Sequence, residues 1–319
     1  MITASIVGLG RWGRTLVGAV QGNSDQIRFT HAVSRDPEPH RDFAAEHGLA
    51  LVCDLAAVLA DPAIDAVVLA TPHSQHVEQV IAAAAAGKAV FCEKPLALTR
   101  AEAERAVGAC EQAGVVLGIG TDKRFFPSIQ EMFRLVDAGE LGQLLHIEGH
   151  FSNEVSSAQF SEWRHSEAES PAGGMTGTGI HVLDAMIRVA GPVHRVQAHL
   201  LSYKPAPDPL DSLAALLEFD SGIGGTLATV RATPMFVRLH VFGRNGSAEA
   251  LGRTELVLRK SGADPEHRRF GERAAVDSVR VNLDAFADAV AGRAAYPISP
   301  RHILAVTAAF EAIVQAVAA

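Results

Sequence analysis

At 319 residues the chain has room for two domains of roughly 150 residues each, and its 48% apolar and 20% charged residues are those of a folded globular protein rather than a disordered one. The formal charge of −8 is spread evenly, with 9 basic against 13 acidic residues up to Thr121 and 19 against 23 beyond it, so neither part offers the basic surface that bulk nucleic-acid binding needs. Three cysteines (Cys53, Cys92, Cys110) in no metal-ligand or redox spacing fit a reducing, cytoplasmic compartment, and neither a targeting segment nor an apolar run near the ~20 residues of a membrane span stands out.

The first third alternates short β-branched runs with alanine-rich helical stretches. Residues 5–7 and 29–33 read as strands, 14–20 and 41–47 as the helices that follow them, the second stopped by Gly48. Residues 66–70 form a buried strand before a helix at 76–86, and strands at 89–91 and 115–119 flank a helix at 100–113. This alternation implies βαβ units and a doubly wound parallel sheet, an α/β domain over residues 1–121.

The pattern changes in the stretch 120–127. A helix at 128–138 and a strand at 144–151 lead into a polar loop, 152–171, and an apolar helix at about 175–190. Strands then follow one another without helices, at 195–202, 213–219, 224–231, 236–242 and 255–260, and helices at 282–291 and 300–318 close the chain. Consecutive strands imply a largely antiparallel sheet in an α+β domain spanning 122–319.

Gly8-Leu9-Gly10-Arg11-Trp12-Gly13 places G-x-G-x-x-G between the first strand and the first helix. In that setting Gly8 permits the tight turn, Gly10 lets the backbone approach a pyrophosphate, and Gly13 allows close helix–strand packing. The loop and its helix N-terminus are a dinucleotide site, with Arg11 and Trp12 among its residues. Cofactor choice is read where the second strand ends, at Ser34-Arg35-Asp36. Ser34 and Arg35 suit a 2′-phosphate, which favours NADP. Asp36 opens a turn before Pro37, although a one-residue slip would make it the carboxylate of an NAD site.

Three further segments are more specific: Thr71-Pro72-His73-Ser74-Gln75-His76, then Phe91-Cys92-Glu93-Lys94-Pro95-Leu96, then Gly173-Gly174-Met175-Thr176-Gly177-Thr178-Gly179-Ile180-His181. In this order and spacing the chain resembles the GFO/IDH/MocA (glucose–fructose oxidoreductase / inositol dehydrogenase / rhizopine-catabolism) family over nearly its whole length, with Arg124-Phe125 and the late Ala287-Asp288-Ala289-Val290 included. The resemblance implies a Rossmann domain followed by a domain on an open, mostly antiparallel sheet, whose exposed face packs against another subunit in a homodimer or homotetramer. It implies hydride transfer between a nicotinamide and a carbinol or carbonyl carbon of a sugar, sugar derivative or cyclitol. Thr71, Pro72 and His76 would lie beside the nicotinamide half, Glu93 near its ribose, and Lys94, in a peptide bond to Pro95 that is often cis, would reach substrate hydroxyls. His181 would face the substrate and share the proton with Lys94, while Thr178 and Arg124 join the substrate side.

Read without the family, His181, Asp184 and Arg188 share one face of an otherwise apolar helix, a polar stripe aimed somewhere specific. The chain departs from the family one turn earlier: many members carry Asp or Asn four residues before this histidine, and here that residue is Gly177. Three consequences stand open: a relay of His181 and Lys94 alone, room for a larger substrate, or lost catalysis in a cofactor-binding sensor. A dihydrodiol or small-carbonyl reductase on the same scaffold is the enzymatic alternative. Trp163 and Arg164, in the polar loop, either stack on and bond a polyol ring or merely anchor the loop. Lys123 and Arg124 either overlook the substrate or form a structural ion pair. His73-x-x-His76 has ligand spacing but no acidic or cysteine partner nearby, so no metal is expected.

Overall fold

The structure is a computed structural model and describes residues 1–154, 163, 166, 168–203, 212–271 and 277–318. The chain divides into two compact units, one of Met1–Gly120 with Val279–Leu304, the other of Thr121–Ser278 with Ala305–Ala319. This differs from a single cut after Thr121, because the chain returns to the first unit near its end. Leu283, Phe286 and Ala287 belong to the same buried cluster as Ile6, Leu16 and Phe29. The Phe286 ring meets Phe91 edge-on at 5.6 Å, and a Cβ on Gly118 would come within 2.8 Å of both rings. Helical periodicity shows that this segment has an apolar face, but not which core receives it.

The first unit is a six-stranded parallel sheet in the order β3-β2-β1-β4-β5-β6. Its strands are β1 (Ile2–Val7), β2 (Ile27–Val33), β3 (Ala50–Val52), β4 (Ala66–Leu69), β5 (Ala89–Cys92) and β6 (Leu117–Ile119). β4 and β5 are buried at every residue, as strands covered on both faces must be. The order reverses between β1 and β4, the switch point outside which doubly wound sheets bind ligands. α1 (Arg11–Val20), α2 (Arg41–Glu46), α3 (Leu55–Ala60), α4 (His73–Ala85) and α5 (Arg100–Ala113) complete the alternation. β3 and α3, only 3 and 6 residues long, are too short to show a period in the sequence. α3 nevertheless carries a cap, with Asp54 accepting from the Ala56 N–H at 2.9 Å.

The second unit holds an eight-stranded sheet in the order β14-β13-β12-β11-β7-β10-β9-β8. These are β7 (Leu144–Ser152), β8 (Val193–Leu201), β9 (Ser212–Phe219), β10 (Gly224–Val230), β11 (Phe236–Gly243), β12 (Gly246–Leu251), β13 (Glu255–Lys260) and β14 (Glu266–Arg269). Only the β7–β10 pair is parallel. β9 shows why one face is covered: Leu213, Ala215, Leu217 and Phe219 are buried, while the residues between them are not. Against the buried face pack α6 (Pro127–Asp137) and α7 (Ile180–Ala190). The approach of α7 requires Gly149, whose Cβ would lie 2.5 Å from Val182 Cγ1 and 2.6 Å from Met186 Sδ. The opposite face carries Glu148, Arg238, Glu249 and Arg259 in a linked ion network. β12 and β14 were not foreseen, since Gly-Ser-Ala-Glu-Ala-Leu has little β propensity and Glu-His-Arg-Arg none that stands out.

The closing helices are α8 (Ser278–Val290) and α9 (Pro300–Ala318). By length and composition α9 could cross a membrane, yet its Ile303, Val306, Ala309, Phe310 and Ile313 are buried in the protein. That is the pattern of a helix with one apolar face packed on the protein.

Candidate active site

The loop between β1 and α1 assigns its three glycines different tasks. Gly8 has φ +96, and a Cβ there would meet the Ala70 carbonyl oxygen at 2.7 Å. On Gly13 a Cβ would lie 1.9 Å from the Gly8 oxygen, whereas on Gly10 it would find nothing within 4 Å. The outer glycines therefore serve packing, and the middle one leaves space open against the backbone. α1 begins there with no side-chain cap and no acidic residue in its first turn, so its N–H groups and positive end remain available to an anion. These features fit the pyrophosphate of a dinucleotide. Arg11 is exposed, while Trp12 packs on the apolar core of the unit.

At the end of β2 the Ser34 hydroxyl donates to the Asp36 carbonyl oxygen at 2.8 Å. Arg35 and Asp36 both face solvent. One cation and one carboxylate thus stand side by side where a ribose 2′ group would be read.

The carboxyl ends of β4, β5 and β6 bring the next residues together. Thr71 follows β4 and donates to Gln79 Oε1 at 2.6 Å, and Pro72 caps α4. His76 is fully buried, with Nδ1 at 2.8 Å from the Pro95 oxygen and Nε2 at 3.0 Å from the Thr71 oxygen. Whatever lies beside it, this ring braces the turn after β4 against the loop after β5. Glu93 and Lys94 follow β5 and are both buried. The Glu93 carboxylate occupies the space that a Cβ on Gly120 would need, 2.4 Å from Oε1. The Lys94 N–H donates to Glu93 Oε2 at 3.3 Å, and the Lys94–Pro95 bond is cis.

In the second unit the glycine segment forms a π-turn, Met175–Gly179, that runs into α7. Gly179 and Gly174 lie so close to Thr229 that a Cβ would come within 2.5 Å and 2.8 Å of its side chain. The Thr178 hydroxyl, expected on the substrate side, donates to the Gly174 oxygen at 2.7 Å. The polar stripe of α7 is real, and each member meets a charge from another element of the unit. His181 Nδ1 is 3.6 Å from Asp122 Oδ1, Asp184 accepts from Arg124 at 3.3 Å, and Arg188 donates to Asp137 at 2.7 Å.

Arg124 is therefore held in a buried ion pair and is 4% exposed. Removing one partner of such a pair leaves the other charge desolvated, which typically costs ~3–5 kcal/mol. Arg124→Leu is accordingly expected to lower the chemical-denaturation stability of the protein by that amount. A variant within 1 kcal/mol of wild type on the same ~3–5 kcal/mol scale would remove the pair from the list of structural supports.

Asp122 was not anticipated as a site residue. It precedes Lys123 and Arg124 in a 3-10 turn, Asp122–Phe125, after β6. Its Oδ2 accepts from Lys123 Nζ at 2.7 Å and from Ser278 Oγ at 2.8 Å. Burial pushes this carboxyl up, but the charges of Lys123 and His181 and the two hydrogen bonds outweigh it and bring it down to about 2. A depressed carboxyl stabilises the fold at pH values above its ordinary range and loses that contribution as pH falls through about 2.

Trp163 is partly buried, whereas Arg164 lies outside the described residues. His146 and His150 share the face of β7 turned away from α7. Among the described residues no group of three His, Cys, Asp or Glu side chains could hold a metal ion.

Both parts of the chain match known proteins. Residues 2–121 match the model of an oxidoreductase family with an NAD-binding Rossmann fold, and residues 129–249 match the GFO/IDH/MocA C-terminal domain. The chain is 30% identical over 257 residues to scyllo-inositol 2-dehydrogenase (NAD(+)) of Bacillus subtilis (strain 168), a match covering 77% of this chain and 72% of that protein. It is 26% identical over 277 residues to trans-1,2-dihydrobenzene-1,2-diol dehydrogenase of Sus scrofa, covering 82% and 79%. The structure of levoglucosan dehydrogenase in complex with NADH and L-sorbose has the same fold, with a TM-score of 0.88 at 21% identity over 99% of this chain and 96% of that one. With both domains matched and a 30% identical relative aligned over most of its length, the chain belongs to the GFO/IDH/MocA family of NAD(P)-dependent oxidoreductases.

Proposed function

We propose that this oxidoreductase interconverts a carbinol and a carbonyl on a sugar, sugar derivative or cyclitol, with NADP as its preferred cofactor. The observation that carries the reading is a buried imidazole, His181, facing a buried carboxylate in a chain whose other unit forms a dinucleotide cradle. When bound, the nicotinamide supplies the hydride acceptor or donor. Gly8, Gly10 and Gly13 with the N-terminus of α1 would hold its pyrophosphate, and Thr71, Pro72 and Glu93 would lie beside its other end. His181 takes the hydroxyl proton as the carbonyl forms, and Lys94 orients the hydroxyl and shares that proton. Support for the substrate class comes from the inositol dehydrogenase relative.

The preference for NADP rests on Arg35, an exposed guanidinium at the end of β2, which suits a 2′-phosphate. Asp36 beside it is the argument for NAD. The exposed face of the eight-stranded sheet, with Leu216 47% and Phe236 44% exposed, supports a homodimer or homotetramer. Free thiols at Cys53, Cys92 and Cys110 suit a cytoplasmic setting.

The test is absorbance at the reduced-nicotinamide band with a panel of cyclitols, sugars, keto-sugars and trans-dihydrodiols, each with both cofactors. Turnover of a polyol with at least a tenfold advantage for NADP, or ~1.4 kcal/mol, is expected. A preference for dihydrodiols points instead to the activity for which the porcine relative is named. No turnover with any member of the panel overturns the reading, and an NAD advantage overturns its cofactor half.

A further inference from the structure

The family pattern supplies an acidic or amide residue four positions before the site histidine, and in this chain that position is Gly177. A carboxylate nevertheless reaches the imidazole from another element. Resting on the assignment of His181 as the proton carrier, we propose that Asp122 is its positioning residue, engaging Nδ1–H so that Nε2 is the nitrogen presented to the substrate hydroxyl.

The two oxygens of Asp122 divide their work. Oδ2 is fixed by Lys123 Nζ at 2.7 Å and Ser278 Oγ at 2.8 Å, which set the plane of the carboxylate. Oδ1 is buried with no hydrogen-bond donor among the described residues, and it faces His181 Nδ1 at 3.6 Å. That separation is an ion-pair distance rather than a hydrogen bond. Catalytic contacts in enzymes without substrate are often this long and tighten in the complex. A buried carboxylate oxygen is costly without a donor, and the His181 imidazole stands 3.6 Å from it. The group is ionised throughout the neutral range, since its neighbours hold it near 2.

The described residues around the pair carry the following groups. Lys123 and Arg124 share the turn with Asp122, but Lys123 bonds Oδ2 and Arg124 pairs with Asp184, the other acid on this face of α7. On the face of β7 and β11 that meets α7, Ile147, Phe151, Val237, Leu239 and Val241 are buried and apolar, while the buried Ser152 and His240 lie on the opposite face. The π-turn contributes Met175, Thr176 and Thr178, none of which titrates. Arg231, just past β10, is a further buried cation among the described residues and packs near Gly174. One fixed negative charge at Nδ1 therefore selects the tautomer and favours the imidazolium that forms when the proton is taken. In effect a carboxylate from the turn after β6 replaces the one absent from the helix.

Two measurements test this. In the full-length wild-type protein, ¹⁵N-histidine NMR, with the His181 signals identified by their loss in His181→Gln, should show the neutral ring protonated at Nδ1. The Nε2–H tautomer overturns the proposal, and this readout needs no variant at Asp122. In Asp122→Asn the His181 titration should move to lower pH by about one unit, because an opposite charge has been removed. The acid limb of kcat should move with it, with kcat about 10- to 100-fold lower and the Kd for NADPH unchanged, a part of the 10²–10⁴ typical of a general base. Combined with His181→Gln, Asp122→Asn should cost nothing further. An unmoved His181 titration, or additive losses, overturns the assignment. If no polyol is turned over, the functional reading fails while the tautomer and titration still decide the role of Asp122.

Discussion

Lys94→Ala is expected to abolish measurable turnover, a loss of ~10³-fold or more, while the Kd for NADPH stays within a few-fold of wild type. The side chain is 8% exposed, at the carboxyl end of β5 in a parallel sheet whose strand order reverses nearby, the place where doubly wound sheets bind their ligands. Its main chain is held on both sides, by the N–H bond to Glu93 Oε2 at 3.3 Å and by the brace between His76 and the Pro95 oxygen at 2.8 Å. The backbone that carries this buried side chain is thus fixed before substrate arrives. On the proposed role its loss combines the ~10²–10⁴ of proton transfer with the cost of losing alignment of the reacting hydroxyl. Lys94→Met separates these contributions from packing, because it keeps the apolar stem and removes only the charge. Equal losses in the two variants, with NADPH fluorescence titrations unchanged, assign the effect to the ammonium. Unchanged turnover in Lys94→Ala would falsify the placement of Lys94 in the chemistry.

What could be read from the chain before folding was local. The alternation of strands and helices, the glycine loop after β1 and the Glu93-Lys94-Pro95 element each lie within a few residues, so spacing alone exposes them. His181 was legible as part of a stripe with a period of one helical turn. The partners of that stripe were not. Asp122, Arg124 and Asp137 come from elements far away in sequence, and a charge beside another charge in the chain, as in Asp122-Lys123-Arg124, does not show which of them turns toward α7. The sequence around Arg124 is compatible with a substrate contact and with an ion pair alike, and its buried ion-pair partner is Asp184. The same limit applies to the segment that includes Phe286, whose periodicity marked it as helical without identifying the core it enters. His76 also sits inside a recognisable motif, yet that its two ring nitrogens reach the Thr71 and Pro95 oxygens depends on a meeting of two loops that pattern cannot foretell. The absence of an acid at Gly177 was visible, but its replacement from the turn after β6 was not.

The glycine loop permits a sharper experiment than the loss of a whole motif. Gly13→Ala and Gly10→Ala add the same methyl group three residues apart, and the structure requires them to fail for different reasons. At Gly13 the new Cβ would lie 1.9 Å from the Gly8 carbonyl oxygen, a main-chain atom in a turn whose φ of +96 already restricts it. No side-chain rotation relieves that contact, so α1 must move away from β1. Overpacking of this kind costs ~1–3 kcal/mol, and more when backbone must give. The Tm of Gly13→Ala should therefore fall by at least several degrees, at the ~2–4 °C per kcal/mol expected for a domain of this size, and cofactor affinity should fall with it. At Gly10 the methyl would meet nothing within 4 Å, and its φ of −64 with ψ −178 is open to any L-residue. Gly10→Ala should keep the wild-type Tm. It should nevertheless weaken NADPH binding by about 10- to 100-fold, because the methyl occupies the space through which the backbone approaches the pyrophosphate. Thermal denaturation and NADPH fluorescence titration on the two variants separate these effects. If Gly10→Ala binds NADPH as wild type does, the open space above the loop is not where the pyrophosphate lies. If Gly13→Ala keeps its Tm, the contact between α1 and the turn after β1 is looser than the 1.9 Å approach requires.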